Sequence, residues 1–318
     1  LKLAFVIQLI GTVALSFVFV PEFGWLKGIW YSLFHAISSF CNAGFDLLGD
    51  SLANHQQNVY LIMVVSALII SGGLGFIVWR DLLEYHQKKK MTIHSKIALT
   101  VTGTLLLGGF VVFFFTERNG ATLVEGNMFQ RLANTFFMSV TPRTAGYYSV
   151  DYLHMSHAGL ILTMFLMYIG GTSGSTAGGL KTTTLGVLLI QMRSMLKGRT
   201  RAEAFGRTIR QGAVLRALTL FFVTLTLCVV AIMILSVTET IPKTSGIEYI
   251  AFEVFSAFGT VGLTMGLTPD LTAIGKLIII ALMYIGRVGV LTVVFSLMTK
   301  AQRTQSKYKY PEESVMIG

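Results

Sequence analysis

Charge is what this 318-residue sequence has least of: 13% of its residues are Asp, Glu, Lys or Arg, against roughly a quarter in an ordinary soluble domain. That scarcity excludes a soluble globule. Cysteine is nearly absent too. Cys41 and Cys228 stand far apart in apolar surroundings, with neither metal-ligand spacing nor a disulfide framework, and read as inert packing residues. Acids are outnumbered, 15 against 25 basic residues, and the net charge of +10 would suit nucleic acid if the bases clustered on a folded surface. Their positions, below, point elsewhere. What is plentiful is apolar: 53% hydrophobic residues, 23 Phe and 32 Gly, with a mean hydropathy of +0.68. This is the composition of a polytopic chain dissolved in lipid, where glycine lets helices pack closely.

Apolar spans run from Leu3 to Val20, Val59 to Trp79, Ile97 to Thr116, Ala158 to Ile190, Leu218 to Val237 and Leu271 to Met298, each long enough to cross a bilayer. The first lacks the short apolar core and small-residue cleavage site of a signal peptide. Because the chain opens on Leu1 and is at once inside a span, a further segment is expected upstream. Basic residues crowd into alternate connections: Arg80, Lys88, Lys89, Lys90 and Lys96; then Arg193, Lys197, Arg199, Arg201, Arg207, Arg210 and Arg216; then Lys300, Arg303, Lys307 and Lys309 in the tail. The positive-inside rule places these in the cytoplasm and accounts for the charge without nucleic acid. Most acids fall in the other connections, so the external face is expected to be acidic.

Each external connection carries an apolar segment too short to span: Trp25 to Phe40, Asn127 to Val140 and Ser245 to Phe258. Such lengths suit re-entrant helices. The pattern of outer helix, short re-entrant helix, turn and inner helix therefore occurs three times, and a repeat of this kind decides the fold class: an all-α polytopic protein of repeated pore units. The units are 1–90, 91–195 and 196–300, with a cytoplasmic tail at 301–318.

After each short helix comes a glycine turn: Asn42-Ala43-Gly44-Phe45, Thr144-Ala145-Gly146-Tyr147 and Thr260-Val261-Gly262-Leu263. A companion glycine follows on each inner helix, Gly72, Gly170 and Gly286, the last two at the same interval of 24 residues. Irregular backbone at membrane depth survives only where it lines water or is buried in protein. A cation can satisfy its carbonyls. Glycine admits positive φ, so successive carbonyls can face one point and replace the hydration shell of potassium. The C-terminal dipole of each short helix favours the same charge, and Asp46, Asp50, Asp151 and Asp270 would concentrate cations at the mouth.

Two further features belong to the path. Arg287 is placed near the middle of the last span, about 18 Å from its cytoplasmic end and too far to snorkel out; a mid-bilayer cation that faces water would act as a barrier to potassium. The run Gly170-Gly171-Thr172-Ser173-Gly174-Ser175-Thr176-Ala177-Gly178-Gly179-Leu180-Lys181 has five glycines and four hydroxyls in twelve residues, which breaks the inner helix and forms a loop suited to gating. Lys181 either lines that loop or snorkels to the interface.

These turns, within Ser39-Phe40-Cys41-Asn42-Ala43-Gly44-Phe45-Asp46, Thr141-Pro142-Arg143-Thr144-Ala145-Gly146-Tyr147 and Phe258-Gly259-Thr260-Val261-Gly262-Leu263-Thr264, together with the glycine loop and Arg287, resemble the Trk/Ktr/HKT superfamily of potassium transporters, most closely the membrane subunit of bacterial Ktr systems. The resemblance implies a pseudo-fourfold pore, with three units visible here and the first expected before Leu1. It also implies a multi-pass location in the bacterial plasma membrane, potassium as the ion with sodium a second candidate, and no enzymatic activity. By the same likeness the turns are the filter, residues 170–181 the gating loop and Arg287 part of the constriction below. The implied partners are a second copy in a homodimer, membrane lipid, and a cytosolic nucleotide-binding ring with Rossmann-like domains of the RCK type, docked on the basic loops and tail.

Three rival readings are weaker. Gly171-Thr172-Ser173-Gly174 fits a serine nucleophile motif, but no histidine falls within an expected span to act as base. The run Gly174 to Thr182 is not a phosphate loop, because Leu180 separates Gly179 from Lys181. A secondary carrier with broken helices, binding a cation at the midplane, is the alternative that remains. Its inverted repeats are not matched by units that all run in one orientation.

Overall fold

A computed structural model describes residues 2–118, 126–240 and 246–289. Of the three expected units present, the first to appear holds α1 (Lys2–Phe23), α2 (Trp25–Phe40), α3 (Val59–Gly73) and α4 (Phe76–Lys88); the next holds α5 (Ile93–Thr116), α6 (Met128–Val140), α7 (His157–Tyr168) and α8 (Thr182–Leu196). A two-stranded hairpin, β1 (Glu203–Ala204) and β2 (Arg207–Thr208), precedes the third, α9 (Gln211–Thr238), α10 (Glu248–Gly259) and α11 (Ala273–Val288). The short helix α2 coincides with its expected range, and α6 and α10 lie within a few residues of theirs. The tail, the stretch from 290 to Met298 of the last expected span, and Ser245 lie outside the described residues.

The outer helices α1, α5 and α9, of 22, 24 and 28 residues, are long and apolar enough to cross a membrane. They leave Phe5, Phe17, Leu107, Phe115 and Val237 bare, which is the side chemistry that hydrocarbon requires. The short helices are the buried ones: α10 hides Phe252, Val254, Phe258 and Glu253, and α2 hides His35, Ala36, Ser39 and Phe40. Two of the inner helices are broken. The gap between α7 and α8 falls in the glycine run, as the composition implies. The expected span from Val59 to Trp79 is instead bent by 95° between α3 and α4, at Gly75, whose φ is +82°. Hydropathy continues through Leu74 to Trp79, so the apolar run conceals the bend. Beyond it, buried Asp81 accepts hydrogen bonds from Ser95 Oγ at 2.7 Å and from the Thr92 amide at 3.1 Å. This ties α4 to the start of α5, so half of the expected basic loop is helix.

Three acids assigned to the external face prove to be buried ties. Glu239, at the end of α9, accepts from Thr272 Oγ1 at 2.6 Å and from the Thr272 amide at 2.8 Å. Glu117, at the end of α5, accepts in the same way from Ser156 Oγ and the Ser156 amide. Both Thr272 and Ser156 are N-caps, donating sideways to the outer helix while accepting from Gly275 and Gly159. Those glycines are required by the tie: an added Cβ would stand 2.4 Å from Glu239 Oε1 and 2.3 Å from Glu117 Oε1. The first unit departs from this, pairing Glu22 with His55 at 3.0 Å. Glu253, the third, lies inside α10 and accepts from Thr264 at 2.8 Å and from Thr268, which folds the chain leaving the third turn back onto its own helix.

Burial of Glu239 pulls its pKa up, but the hydroxyl and amide of Thr272, the Thr238 hydroxyl and the charge of Lys276 outweigh it and hold the carboxyl below its ordinary value of 4.5. A depressed folded pKa stabilises above the unfolded value and is lost as pH falls through the folded one. Glu239→Gln is therefore expected to cost about 1–3 kcal/mol of stability at neutral pH and to remove part of the loss on acidification below about pH 4.5. Thermal unfolding in detergent across that range checks both; equal pH profiles for the two proteins would contradict the tie.

Candidate functional site

The three turns share one backbone. Asn42, Thr144 and Thr260 have φ of +50°, +73° and +51°, and two residues on Gly44, Gly146 and Gly262 have +73°, +80° and +95°, with the intervening Ala43, Ala145 and Val261 at negative φ. Non-glycine residues in this region are uncommon and strained, and persist where the surroundings impose them. Here the helix end imposes them. The amides of Ala43 and Val261 donate back to Ser38 O (2.9 Å) and Ser256 O (2.8 Å), the reversal that ends many helices, while Ala145 N donates to Thr141 O at 3.1 Å. With the amides turned inward, the carbonyls are left over. Among the described residues, no donor meets the carbonyl oxygens of 42–44, 144–146 or 260–262.

The turns also touch in sequence. A Cβ at Gly44 would lie 2.4 Å from Ala145 O, and one at Gly146 only 2.0 Å from Val261 O. Asn42 Nδ2 bridges the first two, donating to Arg143 O at 3.3 Å and Thr144 Oγ1 at 3.2 Å. At the first two turns the residue after the glycine behaves differently. Phe45 O accepts from Ser38 Oγ and Tyr147 Oη, both at 2.8 Å, and Tyr147 O accepts from Thr141 Oγ1. Those two carbonyls are consumed in bracing the first two turns, where the unpartnered set stops at the glycine; at the third, Leu263 O meets no donor among the described residues. The companion glycines now have a reason: a Cβ at Gly72 would stand 1.8 Å from Phe40 O, and one at Gly286 1.9 Å from Phe258 O. The inner helix presses its backbone on the end of the short helix. Gly170 meets the loop instead, with Gly178 O at 2.0 Å from its added Cβ.

The glycine run forms a pinched loop. Its neck is closed by Gly170 N to Leu180 O (2.9 Å) and Leu180 N to Tyr168 O (3.0 Å). Its body lies against all three turns: Thr176 Oγ1 donates to Phe40 O at 3.1 Å, while an added Cβ would place Gly170 3.1 Å from Thr144 Cγ2 and Gly178 2.2 Å from Thr260 Oγ1. A second set of bonds ties it to the α3–α4 bend, Thr172 N to Gly73 O at 2.9 Å and Phe76 N to Gly174 O at 3.2 Å. Ser173 and Gly174 lie at that bend, and Ser175 Oγ receives the Ala177 amide at 3.3 Å. Lys181 does not snorkel; its Nζ donates to Ala177 O at 2.6 Å and folds over the loop. Gly171 and Gly179 lie inside the same fold, with an added Cβ 2.5 Å from Ala177 and 3.3 Å from Tyr168 O.

Arg287 occupies the last turn of α11, exposed, just before Gly289 at φ +91°. Its neighbour Gly286 packs against Phe258 O, which sets this end of α11 beside the third turn. The helical stretch expected after it lies outside the described residues. One residue that sequence reasoning passed over is Arg143. It is buried in the second turn, with Nη2 3.4 Å from both Gly170 O and Thr102 Oγ1, and Nε has no partner. A cation inside an apolar turn motif was its only signal. It fastens the neck of the loop to the turn.

A helical membrane protein whose touching turns hold bare carbonyls beside a pinned loop belongs, by its chemistry, to the cation transporters. The TrkH family, described as cation transport protein, matches residues 1–307, and the chain belongs to that family. It is 81% identical over 318 residues to the potassium/sodium uptake protein NtpJ of Enterococcus hirae, covering all of this chain and 70% of the relative. It is 41% identical over 315 residues to the Ktr system potassium uptake protein B of Bacillus subtilis, 98% of this chain and 69% of that one. The Ktr B protein of Vibrio alginolyticus is 38% identical over 321 residues. In fold, the crystal structure of the potassium transporter TrkH from Vibrio parahaemolyticus superposes with a TM-score of 0.73 at 18% identity, over 93% of this chain and 63% of that one. The chain is a transport protein of the membrane, not an enzyme.

Gly286→Ala is expected to cost about 1–3 kcal/mol of stability, because its Cβ must displace main chain instead of a flexible side chain. It should also lower rubidium uptake by shifting the third turn. Unchanged thermal unfolding and uptake would contradict the close approach.

Proposed function

We propose that this chain is the ion-translocating subunit of a potassium uptake system, passing potassium passively down its electrochemical gradient under the control of the pinched loop. The observation that carries this reading is the run of unpartnered carbonyls, at least three residues long, at each of three touching turns. Such oxygens are costly in a dry interior and are the ligands that replace the water of a monovalent cation. Asn42, Ala43, Gly44, Thr144, Ala145, Gly146, Thr260, Val261 and Gly262 supply the ion ligands. Phe45 and Tyr147 brace them. The turns form sides of a pseudo-fourfold cage, with units at 1–90, 91–195 and 196–300. Relatives named for potassium/sodium uptake make sodium the second ion to test.

Gating follows from position. The loop rests against the entry to each turn, with Lys181 and Arg287 beside it, two positive charges that oppose a cation. Opening requires the loop to leave Gly72–Phe76 and the turns together, and a partner can drive this only by binding the open arrangement more tightly. Relatives named as parts of a Ktr system favour a complex with other subunits; we assign a cytosolic nucleotide-binding ring of the RCK type to that role, acting on a homodimer of this chain.

Three outcomes test the reading. Arg287→Gln should raise rubidium flux into liposomes, and lower flux with folded protein would contradict its barrier role. Deleting residues 172–178 should likewise raise leak and abolish dependence on the partner. Valine at Gly44, Gly146 and Gly262 together should abolish uptake; persistence of uptake would end the carbonyl account.

A further inference from the structure

Two recesses meet beside α8, the helix that follows the loop. The first, about 470 Å³, lies between α5 and α8 and is walled by Ile97, Val101, Leu105, Leu185, Leu189 and Ile190, with Arg193 and Lys197 at one end. The second, about 390 Å³, gathers Lys89, Lys90, Lys96 and Arg207 around Tyr85, with no acid in its lining. Phe205, on the hairpin turn at φ +54°, borders both, and Lys96 Nζ stands 5.7 Å from its ring. The nearby carboxylates are already engaged: Glu203 by Arg199 at 2.9 Å, Glu84 by Lys88 at 2.7 Å, and Asp81 by Thr92 and Ser95.

We infer that these recesses together bind one anionic phospholipid, its phosphate among Lys89, Lys90, Lys96 and Arg207 and one acyl chain along the α5–α8 groove. Charge and polarity are divided as such a molecule divides them, and a basic pocket between helices at the cytoplasmic side is the setting in which lipid head groups bind. From Lys96 to Leu105 the groove runs about 14 Å along α5, close to half the hydrocarbon thickness of about 30 Å. A soluble phosphate has no use for the apolar half, and an acidic protein segment has none for a groove that opens to the bilayer. Bound there, the lipid rests on the same α5–α8 seam where an added Cβ at Gly186 would stand 2.4 Å from Ile97. It steadies α8, whose first residue Thr182 donates its amide to Gly171 O in the loop at 3.0 Å. This goes beyond the potassium reading and does not depend on which ion passes.

The test is native mass spectrometry of the delipidated protein, titrated with phosphatidylglycerol and with phosphatidylcholine of the same chains. Phosphatidylglycerol is expected to be retained preferentially. Lys96→Gln and Arg207→Gln should each weaken it roughly fivefold and leave phosphatidylcholine unchanged, while Lys96→Arg restores it. Leu189→Trp should weaken it by filling the groove. Full retention by the glutamine variants overturns the assignment and leaves the recess to an acidic partner segment. So does displacement of the lipid by soluble glycerol phosphate at equal concentration.

Discussion

A main-chain carbonyl without a donor has to be met by water or a cation at membrane depth, and this chain sets such groups side by side at three turns. Most of the architecture serves that arrangement. Helices too short to span a bilayer lead the backbone into each turn. Their terminal reversals turn the amides of Ala43, Ala145 and Val261 back onto the helices, leaving oxygens without donors. The positive φ at Asn42, Thr144 and Thr260 is the strain accepted in exchange.

Keeping that strain in place needs support from every side. Gly72 and Gly286 allow an inner helix to touch the end of its short helix, so the turn cannot retract. Glu117 and Glu239 fix the starts of α7 and α11 to their outer partners through Ser156 and Thr272. Glu253 and the Ser38–Phe45–Tyr147 contacts hold the chain that leaves the turns. Each device satisfies its own buried polar groups, as a low-dielectric interior demands, and spends none of the free carbonyls.

The sequence made the repeats, the short helices and the glycine turns legible, because length and hydropathy report them directly and because the same order of segments occurs three times. α2 ends where composition places it. The bend at Gly75 was not legible, since apolar residues continue through Trp79 and a hydropathy window carries no direction. Nor was the burial of Glu117, Glu239 and Glu253: an acid in a connection reads as solvated until its partner, tens of residues away, is known. Arg143 and Lys181 were hidden for a related reason, as their acceptors are carbonyls and no residue type marks those. The equivalence of the first unit is imperfect in the same respect, since Asn58 caps α3 while the outer-helix carboxylate, Glu22, is met by His55 instead of by the cap.

The pinned loop is where support and function meet, since it hydrogen-bonds the α3–α4 bend and packs against all three turns at once. On the proposed reading, a movement there would loosen the cage and open the path together. The central claim, that bare carbonyls hold the ion, is tested most directly by soaking crystals in rubidium and locating it by anomalous scattering. A peak within coordination distance of the oxygens of residues 42–44, 144–146 and 260–262 is the predicted result. Rubidium confined to the carboxylates of Asp46, Asp50, Asp151 or Asp270, with none among the carbonyls, would contradict it.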